Sequence, residues 1–491
     1  MNRSELLDWI NQIEQRYPVD EWKINELHLW PYLRMKLSFH LVRVRSPEAA
    51  ESPDAVSLSL WEKISLHLTS AKKLAICLLR SRQTDFVFLG SFSQRVKHRH
   101  SWYNRFFDPV IEDLEQEGYR CSRLEYGKAN NEHQGIPLYR ESDVLHIEEH
   151  MPLLKLWQRI KNRFEPACPS PTDYHSFLLE VAAIPELNGI LASLSITHLR
   201  RELTTITAYR AFFRLYFTLT RPYALIVLSY YSPAPYGAIA AANAMNLCSI
   251  DIQHGPQTGV HPAYNRFMRI PSTGYNLLPR LFWVWEATSQ QGLIGWTNQY
   301  HQVREWGHPW VQYWLSQKEN TSEQPDKPSV PLILYSLQPM GELLDEYILV
   351  AMQESHQYFH WCLRVHPRQQ HMLEAIARQM TQAGLDGKIT IDDGLSTPLP
   401  RILTQTAVHL TRFSGTAIEA ALLHVPTLFL DPFAEKLFHE LIKTGQASVL
   451  NTHSAEALLQ QIEIIVSRHI KVKPTFNHYH YADLLSKELS I

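Results

Sequence analysis

Three short stretches hold residues whose types and spacing could do chemistry. In "DIQHGP" (251–256), His254 stands between Gln253 and Gly255, directly after a run with β-strand alternation. An imidazole of near-neutral pKa can accept a proton from an attacking hydroxyl. A glycine without a Cβ lets a substrate approach the backbone. The alternative is a histidine satisfied by loop backbone groups. In "LRVHPRQQ" (363–370), Arg364, His366 and Arg368 alternate, so on an extended strand they point to one side, and Pro367 ends the ladder. Three cationic or near-cationic groups on one edge suit a phosphate; a solvated strand end is the other reading. In "TRFSGTAIEAALL" (411–423), Ser414, Gly415 and Thr416 close a strand and open a helix. Free N–H groups, hydroxyls and the helix dipole suit an anion there. Glu419, one turn in, could reach ribose hydroxyls. A well-capped helix accounts for the same residues. The G-x-x-x-x-G-K-[ST] phosphate loop is absent.

Lesser candidates also follow strands. Glu286 in "WVWEATS" is a second-choice base. "SQRVKHRHSWYNRF" (93–106) is strongly basic, and Arg95 in it could meet an anionic acceptor, although a solvated loop reads equally well. Asp392 and Asp393 in "TIDDGLST" could bind a hydroxyl or a metal, but Asp-Asp-Gly is an ordinary turn. "NHYHYADLL" lacks a second ligand pair at metal spacing.

The elements that must position these residues can be read from periodicity. Leu27, Trp30, Leu33 and Leu37 form a helical stripe, so residues 1–83 read as a helical extension. "ALIVLSYYS", "PAPYGAIAAANAMN" and "CSIDIQHG" form a strand, helix and strand in about thirty residues, a parallel βαβ crossover. The stretch "SQKENTSEQPDKPSVP" (316–331) is polar and proline-bearing and reads as a linker. Beyond it, strands and helices alternate to the end. The expectation is an α/β chain of two doubly wound, Rossmann-like domains facing a cleft, residues 84–315 and 332–470, with a tail at 471–491 packing back. Ligands of such sheets bind outside the strand ends.

Bulk properties narrow the function. A chain of 491 residues exceeds one core. A net charge of −2 gives no nucleic-acid footprint. Five scattered cysteines suit a reducing compartment. With no secretory leader and no run of eighteen apolar residues, the expected location is the cytoplasm. "LHLTSAKKLAICLLRSRQ" (66–83) interleaves lysine and arginine with leucine and isoleucine. Such a helix can lie on an anionic membrane face, here the inner membrane, or can be a half-buried connector with solvated lysines.

Taken in order, "DIQHG", "RVHPR" and "RFSGTAIEA", together with "FWVWEATS" and "REWGHP", resemble bacterial glycosyltransferases of the GT-B architecture. The resemblance spans roughly residues 220–435. More narrowly, the set is similar to the Kdo transferases of capsule and lipopolysaccharide assembly, and shares parts with polysialyltransferases and teichoic-acid glycerophosphotransferases. It implies a GT-B fold and transfer from a nucleotide sugar, with a CMP-linked acidic sugar such as CMP-Kdo favoured. The acceptor would be a growing capsular polysaccharide or O-antigen, free or lipid-linked. It implies His254 as base or acceptor-site residue, flanked by Gln253 and Gly255. His366 would contact donor phosphate or nucleotide, with Ser414 and Thr416 at the phosphate helix and Glu419 on the ribose side. Such a site works without a metal or other cofactor. Gln253 stands where the teichoic-acid enzymes have tryptophan, which disfavours a polyol-phosphate transferase. A non-catalytic glycan-binding protein of the same fold is the alternative from another class.

Overall fold

The computed structural model describes all residues except 1–2, 46–58, 99, 128–135, 165–169, 258–260, 321–329, 339–343 and 469–478. The first sheet holds β1 (Phe86–Ser91), β2 (Cys121–Tyr126), β3 (Val144–His146), β4 (Ala224–Leu228), β5 (Cys248–Ile252), β6 (Leu281–Val284) and β7 (Gln302–Glu305). Its order is β7-β6-β5-β4-β1-β2-β3, parallel throughout. The second holds β8 (Leu332–Ser336), β9 (His360–Arg364), β10 (Thr390–Asp392), β11 (Thr406–Thr411), β12 (Thr427–Phe429) and β13 (Ala447–Val449). Its order is β10-β9-β8-β11-β12-β13, again all parallel. Central strands such as β4 and β8 are buried along their whole length, because helices cover both faces, so they read as apolar runs without alternation. The expected two doubly wound domains are present.

The helices explain why the first half is large. The chain opens with α1 (Arg3–Arg16), α2 (Trp30–Arg45) and α3 (Leu60–Arg80). Leu6, Ile10, Trp22, Trp30 and Leu33 share one apolar core with Val87, Val227 and Phe282 of the first sheet. The described helices α1 to α3 are therefore built into that domain. After β1 come α4 (Asp108–Gln116), α5 (Met151–Phe164), α6 (Ile196–Thr220) and α7 (Pro233–Ala244). The small residues of α7 have a packing cause: a Cβ on Gly237 would lie 2.4 Å from Tyr209 Cβ on α6.

The remaining elements join the halves. β6 ends at Val284, short of the strand that "LFWVWEATS" (281–289) suggests, because α8 (Ala287–Ile294) begins there. The linker read at 316–331 starts too early: α9 (Pro309–Asn320) runs through its first five residues, and 321–329 lie outside the described part. In the second domain α10 (Thr416–Leu422) follows β11, and α11 (Tyr481–Leu489) returns to the first sheet. There Ala482 N donates to Asp113 Oδ2 at 3.0 Å and the Tyr481 ring lies 5.1 Å from that of Trp283. Residues 471–478 of the tail lie outside the described part. An apolar cluster spans both sheets, joining Trp285 and Trp306 to Ala417, Ile418 and Phe429.

Candidate active site between the two sheets

His254 is placed by the residue before it. Gln253 N continues the ladder to Trp283 O at 2.8 Å, and Gln253 Oε1 accepts from Trp285 N at 2.8 Å. Its amide nitrogen donates to Gly255 O at 3.1 Å and to Ser289 Oγ at 3.0 Å. Gln253 is fully buried and spent on the fold, so the acceptor-side reading gives way to a positioning one. Ser289 Oγ in turn donates to Glu286 Oε1, which also accepts from Thr288 Oγ1 at 3.1 Å. Glu286 is thus tied to the histidine turn through Ser289 and Gln253.

His254 Nε2 lies 3.0 Å from Tyr231 Oη, while its buried Nδ1 has no partner. Tyr231 and Tyr264 flank the ring. Tyr264 Oη donates to Asp251 at 2.8 Å, and burial pushes that carboxyl up to about 8. Burial, and then the Arg105 guanidinium, pull the His254 imidazole down to about 4. The near-neutral pKa expected of this residue is not kept: the ring is neutral at physiological pH and a weaker base than a solvated imidazole. The tautomer with its proton on Nε2 donates to Tyr231 and leaves the Nδ1 lone pair free to accept. A Cβ on Gly255 would meet nothing within 4 Å, so the space beside that glycine is open.

Arg105 is the residue that motif reading missed. It belongs to the basic 93–106 stretch, which folds as an antiparallel hairpin, Arg95–His98 against Ser101–Asn104. Arg95, chosen as an acceptor contact, is buried, with Nε 2.6 Å from Glu125 Oε1 and Nη1 2.7 Å from Trp102 O. That guanidinium serves the hairpin. Asn104 Oδ1 accepts from Phe106 N and Phe107 N at 3.1 and 3.2 Å, a turn that presents Arg105 just before α4. Arg105 makes no ion pair or hydrogen bond with the described residues, and its Nε is buried without a partner. Its Cζ lies 4.8 Å from the Phe106 ring centroid. Its charge is felt by His254, His308, Arg364 and Glu419, which places it between the two sheets. A signal existed in sequence: "YNRFFDP" puts an arginine between a turn-forming asparagine and an Asp-Pro helix start.

Beside Arg105 the rings of Phe106, Trp285 and His308 stack, Trp285 to His308 at 3.9 Å. His308, from "REWGHP", accepts from Trp310 N at Nδ1 and turns Nε2 toward Glu419 Oε1, 3.7 Å away. Burial raises the Glu419 pKa, while Arg105 and Arg364 lower it. Glu419 Oε1 has no hydrogen bond. Glu286 Oε2 is likewise buried and unpartnered, and Glu286 lines a cavity of about 230 Å³ with Glu305, Gly307, His308 and His424. His254 and Arg105 do not line that cavity.

The second domain brings its motifs close. Gly415 caps the seven-residue α10, and a Cβ there would lie 2.7 Å from Pro256 Cδ, two residues beyond His254. Ser414 Oγ accepts from Thr416 N at 3.3 Å, and Thr416 Oγ1 lies 3.3 Å from His409 Nε2. The second strand end differs from its expected geometry. β9 stops at Arg364 and a 3₁₀ turn begins at Pro367, so Arg364, His366 and Arg368 do not share one strand face. Arg364 Nη1 lies 2.5 Å from Asp392 Oδ1 and 2.8 Å from Thr397 O, and Nη2 3.0 Å from Gly394 O. Its fork is spent on its own domain. His366 stands just past the strand, its carbonyl accepting from Gln369 N at 2.7 Å; the side chain of Arg368 lies outside the described part. Asp393 accepts from Leu395 N and Ser396 N, an ordinary turn cap. Among the described residues no three His, Cys, Asp or Glu side chains converge as a metal site. No described helix is long and apolar enough to cross a membrane.

Two parallel, helix-flanked sheets with their strand ends turned to a shared cleft define the GT-B fold. No protein-family model matches the chain, and no curated protein does. Solved structures do. A candidate UDP-N-acetylglucosamine 2-epimerase from Listeria monocytogenes aligns at a TM-score of 0.52 and 13% identity, covering 83% of this chain and 96% of its own. The UDP-GlcNAc 2-epimerase from Neisseria meningitidis bound to UDP-GlcNAc aligns at 0.49 and 13%, covering 82% and 98%. The calicheamicin glycosyltransferase aligns at 0.41 and 13%, covering 83% and 94%. The likeness is one of fold.

Proposed function

We infer that this chain is a glycosyltransferase moving a sugar from a nucleotide-activated donor to a growing capsular polysaccharide or O-antigen acceptor. The observation that carries the reading is Arg105, an unpaired guanidinium with a buried, unpartnered Nε, held between two parallel sheets beside a neutral histidine. A half-buried cation with no carboxylate in hydrogen-bond contact is costly unless an anion completes it. A nucleotide phosphate is such an anion, and the cleft outside the strand ends is where this architecture takes ligands. As the acceptor oxygen bonds to the sugar carbon, His254 Nδ1 takes the hydroxyl proton. The bond from that carbon to the donor phosphate breaks, and the departing charge falls to Arg105. Ser414 and Thr416 would add hydroxyls on the phosphate side, and His366 a contact to the nucleotide. Preference for a CMP-linked acidic sugar, CMP-Kdo among them, rests on the resemblance of the three motifs.

The test begins with thermal shift against CMP, UDP, GDP and CDP, since a ligand of the folded state raises its stability by mass action. Transfer is then measured with the matching sugar nucleotide, for wild type, His254→Ala and Arg105→Gln. Transfer lost in both folded variants supports the reading. A nucleotide shift with unchanged transfer in His254→Ala removes the base role. Epimerisation of UDP-GlcNAc without transfer would assign the chemistry of the Listeria and Neisseria neighbours instead.

A further inference from the structure

We propose that α3 and α5 form a docking surface for an anionic lipid bilayer. The two helices are neighbours: Leu153 N at the start of α5 donates to Ser70 Oγ in the middle of α3 at 3.2 Å. Each buries one face, α3 through Leu74 and α5 through Met151 and Leu154. Each leaves an apolar stripe outside. On α3, Trp61, Leu68 and Leu79 fall at i, i+7 and i+18, one line along the helix, and are 80%, 67% and 86% exposed. On α5, Trp157, Ile160 and Phe164 fall at i, i+3 and i+7, and are 62%, 45% and 82% exposed.

Scattered apolar side chains on a surface need no explanation, but stripes of tryptophan, phenylalanine and leucine on adjoining helices do. Charge decides what covers them. The two helices carry eight lysines and arginines against one glutamate, in a chain whose net charge is −2. Counting Glu148 and Glu149, just before α5, which pair with Lys155 and Lys73, the patch still sets eight positive side chains against three carboxylates, a local excess around strongly exposed apolar side chains. Helices that lie in a bilayer interface have this composition, with aromatic and aliphatic side chains entering the acyl boundary and basic ones meeting lipid phosphates. A protein partner with an acidic rim or a second copy of this chain would be read differently by the experiment below. The surface stands independently of the transferase reading.

Full-length protein is sedimented with vesicles of equal parts phosphatidylglycerol and phosphatidylcholine, and with phosphatidylcholine alone. Expected is partition to the anionic vesicles, weakened by salt. Trp61→Glu with Phe164→Glu, and separately Lys72→Glu with Arg159→Glu, should each reduce partition by at least about tenfold, the first by removing apolar anchors from the acyl boundary and the second by removing charge that meets lipid phosphate. Melting curves of both variants should match wild type, because the altered side chains are exposed. No partition at low salt, or equal partition of the variants, overturns the proposal. So does light scattering that shows a dimer dispersed by the same substitutions, which would make the stripes a contact between copies.

Discussion

Gly415, on the rim of the second sheet, abuts Pro256, on the rim of the first: a Cβ added to the glycine would lie 2.7 Å from Pro256 Cδ and 3.1 Å from Cγ. This contact brings the turn bearing His254 against the turn bearing Ser414 and Thr416. Both belong to loops leaving parallel strands at their carboxyl ends, so the two turns border one volume between the domains.

Gly415→Ala should therefore push the rims apart. The proline ring is stiff, so the misfit falls on the backbone of one loop, with an expected loss of about 1–3 kcal/mol. Denaturant unfolding measures the loss, and nucleotide-induced thermal shift should shrink in parallel. An unchanged midpoint together with an unchanged shift would show that the loops part freely.

Arg105→Gln should separate stability from binding. Removing this half-buried cation relieves Arg364 but takes a favourable charge from Glu419, two opposed effects, so the melting temperature without ligand should change little. Nucleotide affinity should fall by about 2 kcal/mol, the scale of a charge-assisted hydrogen bond, as read by calorimetry. A destabilised protein with intact affinity would assign Arg105 to the scaffold.

Arg364 should behave in the opposite way. Arg364→Met strands Asp392 and leaves the carbonyls of Thr397 and Gly394 without a donor. The expected cost is about 3–5 kcal/mol, as for breaking a buried ion pair. Adding Asp392→Leu should return part of it. Equal loss in the single and double variants would contradict the pairing.

Acid should unfold this protein early. His28 and His301 are pulled to about 4, and His409 to about 3, each chiefly by burial. Below their ordinary 6.5 the unfolded chain takes up protons that the folded one refuses. Stability thus rises with pH across the window from about 4 to 6.5, is fully present above it, and is lost on acidification. Each pKa unit is worth about 1.4 kcal/mol. Asp251, pushed up to about 8 by burial, works against this over the same window by holding a proton that the unfolded chain loses. The histidine contribution is therefore read as the difference between wild type and His301→Gln in how the urea midpoint changes from pH 6.5 to 4.5; parallel profiles would mean that this ring is solvated or charged in the native state.

The βαβ unit around 224–252, the alternation after 332 and the three strand-end motifs were legible in the chain, because burial on both faces of a parallel sheet leaves continuous apolar runs broken by turn residues. Sequence alone thus determined two parallel sheets and which loops would leave their carboxyl ends. It could not apportion the polar atoms on those loops. Arg95 and Arg105 look alike in "SQRVKHRHSWYNRF", yet Glu125 of the first sheet packs against Arg95 on the hairpin and no carboxylate forms an ion pair with Arg105 among the described residues. Likewise Arg364 met Asp392, and Gln253 met Trp285 and Ser289, partners 28 to 36 residues away. Whether a charged group is spent on the scaffold or left for a ligand depends on what long-range packing sets beside it, and only the tertiary structure decides that.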